Sequence, residues 1–462
     1  MTKGEAASRG SLIAYFGIRD CGGPEGYMDN RIRRGARMLT IALVIGAATF
    51  ARSQTETVLH RFTGSPGDGA LPYAVGLVVD NSGNLYGTTQ QGGAGTQCDQ
   101  FEGSCGTVFE MRLTATGRWK KEVLYNFQGG SDGANPAAGL VFDSSGKLYG
   151  TTQFGGTGCG GWGCGTVFAL SRSESGWKES VLYRFVSTNT SDGRLPVTPL
   201  AFDQSGNLYG TTICGGNPSC SCGCGTVFEM TPSEGRWQER VIYAFNGDDG
   251  FDAYAGVTPG GAGAIYGTTL GGGNGTGLVF QLTRDPENTW HETILYEFPG
   301  QNGGPLGGVT LDTKGNIYGT AINSGEYGYG SVFELSPPKA AEEAWDLTTL
   351  YSFTGGRDGA VPAAAVIFDQ AGNLYGTTTS GGTGNACQGW CGVVFELQHA
   401  DGAWTENVLY RFLGGDDGEY PDGPLVFGPE GDLYGTTPNG GDPNCSAYSA
   451  YPGCGAVFEI SR

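Results

Sequence analysis

The chain has 462 residues, a formal net charge of −20, 86 glycines and 13 cysteines. An acidic excess of this size argues against nucleic acid and against anionic membrane as partners. Only three histidines are present, His60, His291 and His399, and no nucleophile elbow, phosphate loop or His-rich metal set accompanies them.

Residues 1–37 form an upstream segment, compatible with translation that starts at Met28 or Met38. Residues 38–53 have a different character. Arg31, Arg33, Arg34 and Arg37 precede an apolar stretch, Met38 to Phe50, followed by Ala51, Arg52 and Ser53. A basic start, an apolar middle and small residues at the peptidase positions describe a secretory signal, here cleaved before Gln54. The stretch is shorter than the roughly 20 residues of a bilayer span, so no stable span is expected after processing. The remaining chain keeps 18 basic and 42 acidic residues, and a secreted or periplasmic location is expected.

From residue 54 to the end one unit is copied seven times. The phrase Leu/Ile-Tyr-Gly-Thr-Thr/Ala begins at Leu85, Leu148, Leu208, Ile265, Ile317, Leu374 and Leu433, at spacings of 63, 60, 57, 52, 57 and 59 residues. A period of this size marks a supersecondary unit that must stack on its neighbours. Each copy holds four short apolar runs, in copy two Ala138–Asp143, Lys147–Thr152, Gly165–Leu170 and Trp177–Phe185. Their Val, Leu, Phe, Tyr and Thr content, bounded by Gly, Asp, Asn and Ser, predicts strands. An Asp-x-x-Gly-Asn turn, as at Asp80–Asn84 or Asp203–Asn207, predicts a tight hairpin between the first two.

The repeat phase predicts how the array ends. Val58–Phe62 matches the fourth run of a unit, and Val457–Ile460 matches the third. A closed ring would complete the last unit with the first strand and remove both open sheet edges. The expected fold is therefore all-β, a seven-bladed β-propeller over residues 54–462 with four-stranded antiparallel blades. A β-solenoid or two stacked sandwiches are the alternatives. Phe109 and Phe62 and their equivalents recur in every copy, and a Trp such as Trp177 recurs in six. Both sets are expected to pack blade on blade. The Gly after the repeated Tyr, such as Gly150, is expected where a neighbouring backbone comes close.

Cysteine usage supports export. Twelve cysteines follow the signal, all between the second and third runs. Cys98 with Cys105, Cys159 with Cys164, Cys387 with Cys391, and Cys445 with Cys454 stand as pairs, and copies four and five lack both members. Such paired presence predicts local disulfides. Copy three holds Cys214, Cys220, Cys222 and Cys224, whose connectivity stays open. Zinc is the weaker reading there, with no His nearby.

In a propeller the loop between the second and third strands shares a face with the loop from the fourth strand to the next blade. The latter carries Asp-Gly at Asp68, Asp132, Asp192, Asp249, Asp358 and Asp417, with Gly303-Gly304 in the fifth copy. The former adds Phe101, Trp162, Tyr327, Tyr329, Trp390, Tyr448 and Tyr451. Aromatic rings stack on sugar C–H faces and carboxylates accept hydrogen bonds from sugar hydroxyls, so these residues are candidate ligand contacts. Asp-Gly is also an ordinary turn. The aromatics differ between copies, which repetition of structure does not require. No cofactor or metal is implied; calcium at the Asp-rich turns is conceivable, but the spacing matches no calcium loop.

Leu-Tyr-Gly-Thr-Thr, a Gly-Gly loop, Gly-Thr-Val-Phe-Glu-Leu, then Val-Leu-Tyr-x-Phe with Asp-Gly-x-x-Pro, resembles the GloVer tandem-repeat family of exported bacterial proteins. The resemblance spans about residues 57–461. It implies a propeller-like fold and export, and assigns no catalytic residue. The expected role is a non-enzymatic, monomeric scaffold that binds a carbohydrate or a cell-surface protein through its disulfide-bearing face. A polysaccharide lyase or glycosidase using rim carboxylates, or a structural envelope protein, are the alternatives.

Overall fold

The computed structural model describes residues 54–462, apart from positions 66, 74–75, 96, 99–103, 187–191, 274, 301–302, 341–342, 383–386, 388–390 and 446–451. Residues 1–53, where the signal and upstream segments are expected, and Phe101, Trp390, Tyr448 and Tyr451, lie outside the described residues. Seven four-stranded antiparallel sheets form the seven blades of a β-propeller. We number the blades one to seven by their second strand, from Leu85–Thr89 to Leu433–Thr437. Blade two shows the pattern: Val141–Phe142, Leu148–Thr152, Thr166–Ser173 and Gly176–Arg184, hydrogen-bonded in chain order. The first strand pairs over only two residues, shorter than the four or more its apolar run suggests, because that run continues past the ladder toward the neighbouring blade.

Blade seven is built from both ends of the described chain. Val426–Phe427, Leu433–Thr437 and Ala456–Ser461 are completed by Thr55–Arg61, with Thr57 opposite Glu459 and Val58 opposite Phe458. The expected closure is present. Seven buried apolar clusters, one per blade boundary, confirm it; an open array of seven blades would have only six boundaries. The cluster at the closing boundary joins Phe62, Tyr434 and Val457 to Leu85, Phe109 and Met111.

A bulge lets one strand serve two boundaries. The fourth strand of every blade slips register at one residue, Leu182 in blade two, so that Val181 faces Phe168 and Tyr183 faces Val167. The same slip recurs in the other six blades. A bulged residue reverses the side-chain alternation beyond it. Trp177, Glu179 and Val181 therefore turn toward blade one, and Tyr183 and Phe185 toward blade three. The resulting Phe–Phe contact is edge-on at all seven boundaries, from Phe127–Phe168 at 5.0 Å to Phe298–Phe333 at 5.3 Å between centroids.

Each letter of the repeated phrase has a task. Leu148 is fully buried. The Tyr149 hydroxyl donates to Asp143 of the hairpin turn at 3.0 Å, and its ring packs edge-on against Trp237 of the next blade. Gly150 lies under Phe168: a Cβ there would sit 2.7 Å from the ring. The close neighbour is thus an aromatic side chain on the adjacent strand, not a backbone as the sequence suggested. Thr151 donates to the Thr198 carbonyl of the next blade at 3.2 Å. The equivalent bond exists at five further boundaries, and at the closure the corresponding Thr436 reaches the Pro72 carbonyl, earlier in the turn, at 3.4 Å. Thr152 donates within its own blade, to Phe154.

Candidate functional site

The disulfide-bearing loops and the blade-to-blade turns occupy one face, as expected. Short ribbons tie them together, Gly69–Ala70 with Gln91–Gly92 and Gly193–Arg194 with Cys214–Gly215. All twelve cysteines among the described residues are bonded. The four isolated pairs join as the spacing predicted, and in copy three Cys214 joins Cys222 while Cys220 joins Cys224. Those four thiols are therefore not zinc ligands. Each bridge closes a short loop, which stabilises by about 2–3 kcal/mol in the chain-entropy picture.

The disulfide loop also holds the next blade. The Cys105 carbonyl accepts from the backbone N–H of Asn135 at 2.9 Å, and Cys454 accepts from Leu71 at 2.9 Å across the closure. A strut residue stands in the left-handed region, at φ between 54° and 66°, in six blade-to-blade turns, Leu71, Asn135, Leu195, Asp252, Val361 and Tyr420, and all but Asp252 make this donation. For a β-branched residue such as Val361 this conformation costs on the order of 1–3 kcal/mol. In five of the six a proline follows, and its ring lies on the glycine of the preceding Cys-Gly or Tyr-Gly pair; a Cβ at Gly455 would be 2.6 Å from Pro72 Cδ. The strut was not legible from composition, because Leu, Val and Tyr carry no positive-φ signal.

The structure commits the Asp set to these turns. Asp132 accepts from the Tyr125 hydroxyl and the Gln128 N–H, both at 2.7 Å. Asp192, Asp249, Asp358 and Asp417 repeat the arrangement with Tyr183, Tyr243, Tyr351 and Tyr410. Asp68 does so with His60 in the tyrosine slot, at 3.2 Å, and adds Lys121 at 2.5 Å. Burial opposes ionisation of Asp68, but the His60 and Lys121 bonds outweigh it and hold the carboxyl far below its usual range. The six aspartates are turn fasteners.

The aromatic candidates divide. Trp162 is 47 % exposed at the tip of the Cys159–Cys164 loop, tilted against Phe154. Tyr327 is 53 % exposed. Tyr329 stands in the position of the second cysteine: its carbonyl accepts from Val361 as Cys105 does from Asn135, and its ring covers Gly355. In copy five it replaces a disulfide as packing while leaving one ring face in water. Of seven exposed large apolar side chains among the described residues, Tyr73, Trp162, Val186, Tyr327, Tyr329 and Leu413 lie on loops of this face and only Leu113 does not.

The opposite face has a groove of about 490 Å³ between blades one and two, lined by Asp80, Asn84, Tyr86, Lys147, Arg172 and Trp177 among others. Its central polar groups engage one another: the Tyr86 oxygen lies 3.0 Å from Asp80 and 2.7 Å from Glu110, and Arg172 covers Trp177 at 4.9 Å and reaches Glu110 at 3.6 Å. Among the described residues no group of three or more His, Cys, Asp or Glu side chains could hold a metal ion, and no helix is long and apolar enough to cross a membrane.

The architecture is that of a closed β-propeller with one disulfide-stapled loop face. The chain belongs to the Gloeobacter/Verrucomicrobia repeat family, whose pattern matches residues 47–269 and 262–461. No curated protein matches the sequence. Among solved structures, an ancestral GH74 enzyme aligns at 10% identity and a TM-score of 0.53, over 85% of this chain and 48% of that one. An ulvan lyase of polysaccharide lyase family PL25 aligns at 12% identity and a TM-score of 0.49, over 86% and 95%. At 10% identity the likeness to the GH74 enzyme is one of fold.

Proposed function

We propose that this protein is an exported binding scaffold that takes a neutral or weakly charged glycan on its disulfide face. The observation that carries the reading is that six of the seven exposed large apolar side chains among the described residues lie on loops of that face, Trp162 on a disulfide-stapled one. Trp162, Tyr327 and Tyr73 vary between copies, so ring packing does not demand them, and each leaves apolar surface in water. A loop held by a short disulfide, as at Trp162, or by an interblade hydrogen bond, as from Val361 to the Tyr329 carbonyl, presents such rings with little ordering cost on binding. Aspartates already bonded to tyrosines and backbone are poorly suited to proton transfer, which favours binding over hydrolysis at this face. Six disulfides suit an oxidising compartment outside the cytosol.

A glycan array probed with the mature chain tests the proposal. Wild type should retain a defined set of glycans, and Trp162→Ala with Trp390→Ala should lose at least part of it without loss of folding. Absence of any bound glycan would remove the sugar reading. Release of product from a polysaccharide panel, abolished by one Asp or Glu change, would convert the scaffold into an enzyme.

A further inference from the structure

The seven blade boundaries repeat one polar socket with three different fillings. Its fixed parts are the tyrosine of one blade's fourth strand and the aspartate of the turn that follows. The third part comes from the next blade, two residues after the tryptophan position of its fourth strand. At five boundaries it is a glutamate: Glu179 facing Tyr125 and Asp132, Glu239 facing Tyr183 and Asp192, Glu292 facing Tyr243 and Asp249, Glu406 facing Tyr351 and Asp358, and Glu56 facing Tyr410 and Asp417. In all five, Oε1 of the glutamate is buried with no hydrogen-bond partner.

The two exceptions show what the socket accepts. Between blades seven and one the third residue is Lys121, which pairs with Asp68 beside His60. Between blades four and five the turn holds Gly303-Gly304 instead of an aspartate, and the third residue is Leu347, packed near Tyr296. A cation is found opposite the aspartate, and a hydrocarbon where the aspartate is missing. At the other five, two carboxyls share a half-buried space. The phenol cannot serve both as donor, because it has one hydrogen. In blade three that hydrogen goes to Asp249 at 2.7 Å, while Glu292 Oε2 lies 3.4 Å from the same oxygen. The glutamate can join the chain only by donating. The charged groups around it do not remove this need. Arg184, Arg411 and Arg61 stand beside Glu179, Glu406 and Glu56, but each donates to a turn carbonyl, of Ser131, Arg357 and Asp416. At the corresponding positions beside Glu239 and Glu292 stand Ala244 and Glu297, which bring no cation.

We propose that five of the seven blade boundaries are closed by a held proton, carried by the glutamate of one blade and donated toward the Tyr–Asp pair of the blade before it, so that the ring is tighter in acid than in alkali. Burial first, and the facing aspartate second, raise Glu179 to about 8 and Glu239, Glu292 and Glu406 to about 7. Glu56 is raised to about 8 by the same two causes. In the unfolded chain a glutamate titrates near about 4.3. Between that value and 7–8 the folded ring binds protons that the unfolded chain has released, so stability falls as pH rises through this window. The device is independent of any ligand on the disulfide face.

The test compares the denaturation midpoint of the mature chain from about pH 5 to about pH 9 with that of a fivefold variant, Glu56→Gln, Glu179→Gln, Glu239→Gln, Glu292→Gln and Glu406→Gln. Glutamine donates without ionising. Wild type should lose midpoint steadily across the range, and the variant should lose most of that slope and stand above wild type at the alkaline end. Exposed controls, Glu174→Gln, Glu234→Gln and Glu287→Gln, should keep the slope. A protonated-carboxyl band in the infrared near neutral pH should be present in wild type and lost in the variant. If the fivefold variant fails to fold, the single changes Glu179→Gln and Glu239→Gln should each remove about a fifth of the slope, the share of one site in five equivalent ones. An unchanged slope in the Gln variants, or the absence of the band in wild type, would overturn the proposal. So would stabilisation by calcium at alkaline pH that the Gln changes abolish, since a metal ion would then fill the gap.

Discussion

Replacing Gly150 by alanine tests why a glycine stands in the middle of every second strand. The added Cβ would lie 2.7 Å from Phe168 Cζ, 3.0 Å from Cε1 and 2.9 Å from Leu140 Cδ2. Carbon atoms in ordinary contact sit about 3.5–4.0 Å apart, so the ring must retreat by roughly 0.8 Å. It has nowhere to go. Phe168 is fully buried, and Phe127 of the preceding blade stands edge-on to it at 5.0 Å. Overpacking of this kind costs about 1–3 kcal/mol. Against it stands the gain from replacing a strand glycine, about 0.5–1 kcal/mol. The net expectation is a destabilisation of about 0.5–2 kcal/mol, read as a lower urea midpoint. Adding Phe168→Leu removes the obstructing ring, so the two changes should couple favourably by at least about 0.5 kcal/mol in a double-mutant cycle. A higher midpoint for Gly150→Ala alone, or strict additivity with Phe168→Leu, would refute the assignment.

Thr211→Val removes the hydroxyl that reaches the Ala255 carbonyl of the next blade at 3.0 Å; leaving that buried acceptor unpaired should cost about 1–3 kcal/mol by urea denaturation, and a neutral result would show the bond to be incidental. Cys98→Ser with Cys105→Ser should lower stability by about 2–3 kcal/mol, detectable as earlier proteolysis of that loop. The hairpin aspartates set the acid limit. Burial raises Asp203, but bonds from the Asn207 side chain and the Asn207 and Ser205 backbone outweigh it and leave the carboxyl below its usual range. A lowered folded pKa contributes stability above the unfolded value near about 3.9 that is lost as pH falls through the folded one. Asp203→Asn should therefore flatten part of the acid limb of the midpoint–pH curve, and an identical limb would count against the role.

Much of the fold could be read from the repeat, because seven copies act as an alignment of the chain with itself. The phrase around Leu148, the spare strand before Phe62 and the unfinished unit ending at Ile460 were enough for blades and closure. What escaped needs knowledge of which copy faces which. Glu179 and Asp132 meet across a boundary, so comparison within one copy does not relate them. The same holds at the other end of the blades, where Glu110 meets Arg172, Glu229 approaches Arg284 and Glu396 approaches Arg462. At the boundary between blades two and three the corresponding positions are Ala169 and Pro232. These charged pairs are particular to three boundaries and disfavour slipped or swapped rings there. The Cys214–Cys222 and Cys220–Cys224 connectivity depends on the path of one loop, and Tyr329 in a cysteine's place carries no spacing signal.

Site residues were less legible than core residues for a physical reason. The aspartates recur because every blade needs the same turn, and recurrence alone cannot separate a fastener from a ligand contact. Residues that vary between copies at equivalent exposed positions, such as Trp162, carry more information about binding than residues that repeat.

The strand Thr55–Arg61 closes the ring, and amide hydrogen exchange on residues 54–462 measures this closure directly. The amides that Thr55–Arg61 gives to the ladder with Ala456–Ser461 should be protected to the same degree as those of an ordinary fourth strand such as Gly176–Arg184. Exchange of that segment at the rate of an unstructured peptide, with the edge of Ala456–Ser461 equally unprotected, would contradict it.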